Sequence, residues 1–167
     1  MQTAPSDTPS SSLLLTDLSA TERFARALAA SARPGLVVLL DGPVGAGKTT
    51  LAREVIQTLL AEDGQIEDVP SPTFTIVQTY MARRFEIWHA DLYRLSYTEE
   101  LVELGLDAAF ETGFCLIEWP DRLGPDLPDH LRIVLDYGAQ TDTRQGALSA
   151  TGTACSVLEE LSKAFAR

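Results

Sequence analysis

Eight consecutive residues, Gly42-Pro43-Val44-Gly45-Ala46-Gly47-Lys48-Thr49, fit the pattern G-x-x-x-x-G-K-[ST]. Glycines in that pattern let the backbone wrap closely enough for successive N–H groups to converge on phosphate oxygens. A helix opening at Lys48 adds the positive end of its dipole. The backbone from Gly45, Ala46 and Gly47 through Lys48, Thr49 and Thr50 is therefore expected to cradle a nucleotide's phosphates. The Lys48 amine would reach the β and γ phosphates, and the Thr49 hydroxyl would ligate Mg²⁺. The chain has one other lysine, Lys163, near its end. No Asn-Lys-x-Asp or Thr-Lys-x-Asp is present to read guanine, so ATP is expected over GTP.

Such a loop needs a second anchor for the metal, normally a carboxylate at the end of a buried neighbouring strand. Two residues qualify. Glu118 follows the apolar run Phe114 to Ile117, and Asp91 ends the stretch Phe85 to Ala90. An uncompensated carboxylate at such a place is costly, so each must be solvated, paired or metal-bound. Glu118 is assigned to the metal and Asp91 to the attacking water or a metal-bound water. His89, two residues before Asp91, is read as structural, because phosphoryl transfer to water depends on positioning more than on proton abstraction. Ser71-Pro72-Thr73-Phe74 reads as a turn opening a strand, or as a mobile segment carrying Thr73 to the γ phosphate. Arg83, Arg84 and Arg94 are the candidates in this chain for the charge-stabilising arginine that phosphoryl transfer needs. None lies in the Arg-rich run of a small-molecule kinase lid, which points to a slow ATPase activated by a partner.

These residues must be held by regular elements. Ser19-Ala20-Thr21-Glu22 matches a capping box, and the spacing of Phe24, Ala27 and Leu28 predicts a helix over about 20–32. Leu36 to Leu40 is a continuous apolar run bounded by turn residues, the pattern of a strand buried on both faces, and it leads into the phosphate loop. A helix is expected from Lys48 to Ala61, and a hairpin from the stretches 73–80 and 85–92 around Met81-Ala82-Arg83-Arg84. Ser96-Tyr97-Thr98-Glu99 is a second capping box before a helix broken near Gly105. Phe114 to Ile117 is a second buried strand, Leu131 to Tyr137 and 145–150 are two more, and Cys155 to Phe165 closes the chain as a helix. The alternation predicts an α/β fold, a three-layer P-loop NTPase-like sandwich whose mixed, mainly parallel sheet carries an antiparallel hairpin. Phe74, Tyr80 and Trp88 are expected in the core.

At 167 residues, with 45% apolar, the chain has material for one domain. Residues 1–12, rich in Ser, Thr and Pro, are read as a disordered tail, and 13–167 as a single ATPase domain. The formal charge of −11 repels a phosphate backbone, so nucleic acid is expected to be reached only through partners. No apolar run approaches the roughly 20 residues of a membrane helix, and a cytoplasmic location is expected. Cys115 and Cys155 have neither a disulfide framework nor metal-ligand spacing around them; Cys115 reads as core.

Four blocks in order resemble the TsaE (YjeE) family of ATPases in bacterial tRNA threonylcarbamoyladenosine modification: Gly45 to Thr50, Ser71 to Phe74, His89 to Leu95, and Glu118-Trp119-Pro120. The resemblance spans about 15–151. It implies a mixed-sheet P-loop fold, Mg²⁺-dependent ATP hydrolysis, and docking onto the TsaB and TsaD subunits, with this chain resetting the complex between turnovers. It further implies that Thr49 and Glu118 ligate Mg²⁺, that Asp91 is the hydrolysis residue, and that Trp119 stands beside the nucleotide. Thr21 and Arg144 are implied near it too. This chain departs from the family pattern at Pro43-Val44, at Ala90 and in the acidic stretch 62–68. Two other readings share the same loop: a non-hydrolytic, nucleotide-gated assembly module and a small-molecule P-loop kinase.

Overall fold

Val37–Asp41 (β2) is the strand from which the rest of the architecture is laid out, its first four residues buried. In the computed structural model, which describes residues 9–83, 85–97 and 99–165, β2 lies between two parallel neighbours, Phe114–Glu118 (β5) and Leu131–Tyr137 (β6). Phe85–Asp91 (β4) pairs parallel with β5 on its other side. Antiparallel strands close both flanks. Val77–Ala82 (β3) pairs with β4, while Arg144–Ala150 (β7) pairs with β6 and in turn with Ser10–Leu15 (β1). The seven-stranded order is β1-β7-β6-β2-β5-β4-β3.

Parallel strands at the centre need cover on both faces, and both are covered. Helices Leu18–Ala30 (α1), Lys48–Glu62 (α2) and Cys155–Phe165 (α5) supply the larger core, around Phe24, Leu28, Leu51, Ile56, Leu116 and Leu161. The opposite face carries Glu99–Glu103 (α3) and Leu106–Thr112 (α4), with Leu39, Ala90, Leu92, Leu106 and Ile117 packed there. Ala90 thus faces away from Asp91, as strand alternation requires. Cys115 is buried on this face, and burial pushes its thiol up to about 12.

Several local expectations are corrected. Asp17, not Ser19, caps α1: its carboxylate accepts the Ala20 N–H at 2.8 Å, and Ser19 lies inside the helix, where its hydroxyl accepts from Arg23. Residues 10–12, expected as tail, are strand. They lack apolar side chains, but their backbone pairs with β7 from Ser10↔Ser149 onward. Residues 1–8 lie outside the described residues. β3 begins at Val77, because Thr73–Thr75 is a turn in which the Ile76 N–H reaches the Pro72 carbonyl at 2.7 Å. Phe74 is 87% exposed, contrary to the core reading, whereas Tyr80 is buried and Trp88 packs partly buried against the second core. No helix among the described residues is long and apolar enough to cross a membrane.

Candidate functional site

β2 ends where its backbone must turn sharply towards α2, and the turn is made by glycines in left-handed conformations, Gly45 at φ 78° and Gly47 at φ 104°. α2 begins at the next residue, Lys48, with Gly47 as its cap and no side-chain cap hydrogen bond among the described residues. Ala46 donates its N–H to the Pro43 carbonyl, and its methyl is buried in the core. No backbone carbonyl among the described residues accepts from the N–H groups of Gly45, Gly47, Lys48 or Thr49. The loop therefore presents unpaired donors at a helix N-terminus, the donor set an anion requires.

Lys48 is buried and folded back on the loop, its Nζ donating to the carbonyls of Gly42 at 2.5 Å and Pro43 at 2.9 Å. The same nitrogen lies 4.2 Å from the centroid of the Trp119 ring. Desolvation by burial lowers the pKa of the amine, against the opposing charges of Glu118, Asp41 and Asp91.

Sheet register brings the acids to this loop. Asp91 and Glu118 are paired residues at the ends of β4 and β5, and β5 lies directly beside β2. Thr49 Oγ1 donates to Glu118 Oε1 at 2.7 Å, and His89 Nε2 lies 2.8 Å from Glu118 Oε2. Asp91 accepts the Tyr93 N–H at 3.1 Å. Its pKa is raised, first by desolvation and further by Glu118, against the Tyr93 hydrogen bond and the charge of Lys48.

A cavity of about 470 Å³ is lined by Gly45, Gly47, Lys48, Thr49 and Thr50, by Asp91, Glu118 and Trp119, and by Ser71, Thr73 and Arg144. An adjoining cavity of about 540 Å³ runs from Ala46, Gly47 and Thr50 to Asp17, Thr21, Asp142 and Arg144. The site residues expected from sequence line the first of these cavities except Ala46, which lines the adjoining one and whose N–H is taken by the Pro43 carbonyl. Of the candidate arginines, Arg83 and Arg94 line neither cavity. Arg83 forms a bidentate ion pair with Glu62 and donates to the Ala29 carbonyl, which fastens the hairpin to α1 and α2 instead of serving a phosphate. Arg94 lies over the Phe74 ring at 5.7 Å, and Arg84 lies outside the described residues.

Two further residues join the site without a signal of their own in the sequence. Tyr137, at the end of β6, donates its hydroxyl to the Val44 carbonyl, and the Arg144 guanidinium stands 5.6 Å from its ring. Tyr93 lines the smaller cavity beside Trp119, ring centroids 4.8 Å apart. The end of a strand parallel to β2 is a place to look for such residues, and Tyr137 occupies one.

A sheet with a parallel centre, helices on both faces and a glycine-rich strand–loop–helix turn facing two strand-end carboxylates defines a P-loop NTPase-like α/β protein. Residues 15–146 match the family model described as threonylcarbamoyl adenosine biosynthesis protein TsaE. The TsaE protein of Bacillus subtilis is 38% identical over 146 residues, 86% of this chain and 88% of that one. The TsaE protein of Rickettsia bellii is 44% identical over 111 residues, 66% of this chain and 75% of that one. With that of Rickettsia conorii the identity is 46% over 101 residues, 60% of this chain and just over half, 56%, of the relative. A crystal structure of Bacillus subtilis YdiB superposes with a TM-score of 0.77 at 30% identity, covering 95% of this chain and 97% of the other. The chain belongs to the TsaE family of tRNA threonylcarbamoyladenosine biosynthesis.

Proposed function

We propose that this chain is a Mg²⁺-dependent ATPase that supports threonylcarbamoyl modification of adenosine in tRNA by acting on the TsaB and TsaD subunits. The observation that carries the reading is the convergence of Lys48, Thr49, Asp91 and Glu118 on one cavity at a loop with unpaired N–H donors. The fit to a hard cation is supported by the donor set: a hydroxyl and a carboxylate already 2.7 Å apart, oxygen ligands of the kind Mg²⁺ takes. Thr49 and Glu118 would hold it, and when bound the ion would neutralise charge on the β and γ phosphates.

The loop N–H groups and Lys48 bind the phosphates, with Lys48 exchanging the Gly42 and Pro43 carbonyls for phosphate oxygens. Thr21, Asp17 and Arg144, around the adjoining cavity, lie where the nucleoside extends beyond Thr50. Asp91 orients a water towards the γ phosphorus; a P–O bond forms to that water as the bond to the ADP oxygen breaks, giving ADP and inorganic phosphate. Trp119 packs over Lys48 and shields that side from solvent. Arg144 is the described arginine that lines the site, so further charge stabilisation falls to it or to a partner. The acidic surface fits a subunit that meets tRNA only through TsaB and TsaD.

Calorimetric titration with ATP tests the binding step. The chain binds ATP, and Lys48→Ala abolishes tight binding; unchanged affinity in that variant contradicts the reading. Asp91→Ala separates hydrolysis from nucleotide-gated assembly: it should bind ATP normally yet fail to sustain repeated tRNA modification. Full modification by Asp91→Ala would favour the assembly module.

A further inference from the structure

His89 is completely buried, yet its ring makes one polar contact, Nε2 to Glu118 Oε2 at 2.8 Å, and its Nδ1 has no partner among the described residues. A buried polar ring with an unpaired nitrogen costs more than an apolar side chain of similar size would at the same place. Packing alone therefore does not account for histidine at this position. We infer that His89 is a positioning residue that holds the Glu118 carboxylate, by an Nε2–H donation, in the orientation that presents its other oxygen to Thr49 and the metal.

The geometry is specific. In the β4–β5 register, His89 pairs with Leu116 and Asp91 with Glu118, so His89, Asp91 and Glu118 share the sheet face that meets α2. The contact is diagonal, reaching from one strand to a residue two positions further along its neighbour. An ionised carboxylate only accepts, so Nε2 carries the proton and the tautomer is set by the contact. Glu118 then has one donor on each oxygen, His89 on Oε2 and the Thr49 hydroxyl on Oε1. With both oxygens tethered the carboxylate cannot rotate, and Oε1 stays beside Thr49, whose hydroxyl lone pairs remain free. Partners of this kind, once removed, typically lower metal affinity about 10- to 100-fold.

This inference rests on the metal-nucleotide reading above, and its test separates the two. Mn²⁺, a paramagnetic stand-in for Mg²⁺, is titrated into the full chain saturated with a non-hydrolysable ATP analogue, and free ion is followed by electron paramagnetic resonance. The variants are His89→Gln, whose amide nitrogen extends as far as Nε2, His89→Asn, whose amide stops near the Nδ1 position, and His89→Leu. Wild type and His89→Gln should hold the ion alike. His89→Asn and His89→Leu should hold it about 10- to 100-fold more weakly, with nucleotide affinity in the presence of a chelator unchanged. Where His89→Leu does not fold, the contrast between Gln and Asn decides. Equal Mn²⁺ affinity in Gln and Asn, or wild-type affinity in Leu, overturns the role of His89 and leaves the site reading intact. A wild-type chain that takes no Mn²⁺ with the nucleotide removes that reading and this inference with it.

Discussion

Asp91 and Glu118 are directly paired residues at the ends of two adjacent parallel strands, and both side chains are buried. The two do not share one environment. Glu118 has a donor on each oxygen, from Thr49 and His89, whereas among the described residues the one hydrogen bond to Asp91 comes from the Tyr93 backbone. One carboxylate is fixed in place and the other is poorly compensated, a division that suits a metal anchor beside a water-orienting group.

That imbalance has a consequence for stability. Burial raises the pKa of Asp91, so the native chain binds this proton more tightly than the unfolded chain. Native stability therefore falls as pH rises through the window from the ordinary carboxylate value, about 3.9, up to the raised one. Asp91→Asn, which keeps an acceptor for Tyr93, should melt higher than wild type at pH 7. The margin should shrink towards nothing as pH falls to about 4. Thermal melts across that range check it, and an equal or lower melting temperature at pH 7 contradicts it.

Thr49→Val keeps the side-chain shape and removes the donor to Glu118 Oε1. A buried acceptor left without its donor costs about 1–3 kcal/mol, so urea denaturation should show a loss of that size, with Thr49→Ser close to wild type. Equal stability of Thr49→Val and Thr49→Ser would mean that this hydrogen bond carries nothing in the folded chain.

The loop glycines differ in what they can accept. A Cβ at Gly42 would sit 2.1 Å from the Leu135 carbonyl oxygen, backbone that cannot move without parting β2 from β6. At Gly47 nothing lies within 4 Å, and only the left-handed φ of 104° opposes a side chain, a cost of about 1–3 kcal/mol. Gly42→Ala should therefore be the more destabilising, and the reverse order in denaturant midpoints would contradict the packing described.

Much of this arrangement is legible in the chain itself, because two buried runs, Val37–Leu40 and Phe114–Ile117, are continuous apolar stretches that only a doubly covered sheet accommodates. The residues at the C-terminal ends of these runs, the loop after Asp41 and Glu118 itself, are then placed by elementary geometry. Residues 10–12 escape such a reading because an edge strand needs backbone pairing and not apolar side chains. Asp17 is hidden because the S-x-x-E pattern two residues later is a stronger signal than a lone Asp. Arg83 and Phe74 are misplaced by composition for a shared reason: whether an arginine meets a carboxylate or a phosphate, and whether an aromatic meets the core, depends on contacts such as Arg83 to Glu62, 21 residues apart. The His89 contact with Glu118 requires the β4–β5 register, which no periodicity specifies.

The role proposed for Glu118 and Thr49 is support of Mg²⁺-dependent hydrolysis of ATP at this loop. It is tested most directly by phosphate release from ATP with the purified chain and Mg²⁺, alone and then with TsaB, TsaD and unmodified tRNA. The expected result is slow turnover by the chain alone, a rise with the partners, and loss of most turnover and of Mg²⁺ dependence in Glu118→Ala. Tight ATP binding with no Mg²⁺-dependent phosphate release under either condition, or undiminished release by Glu118→Ala, would contradict it.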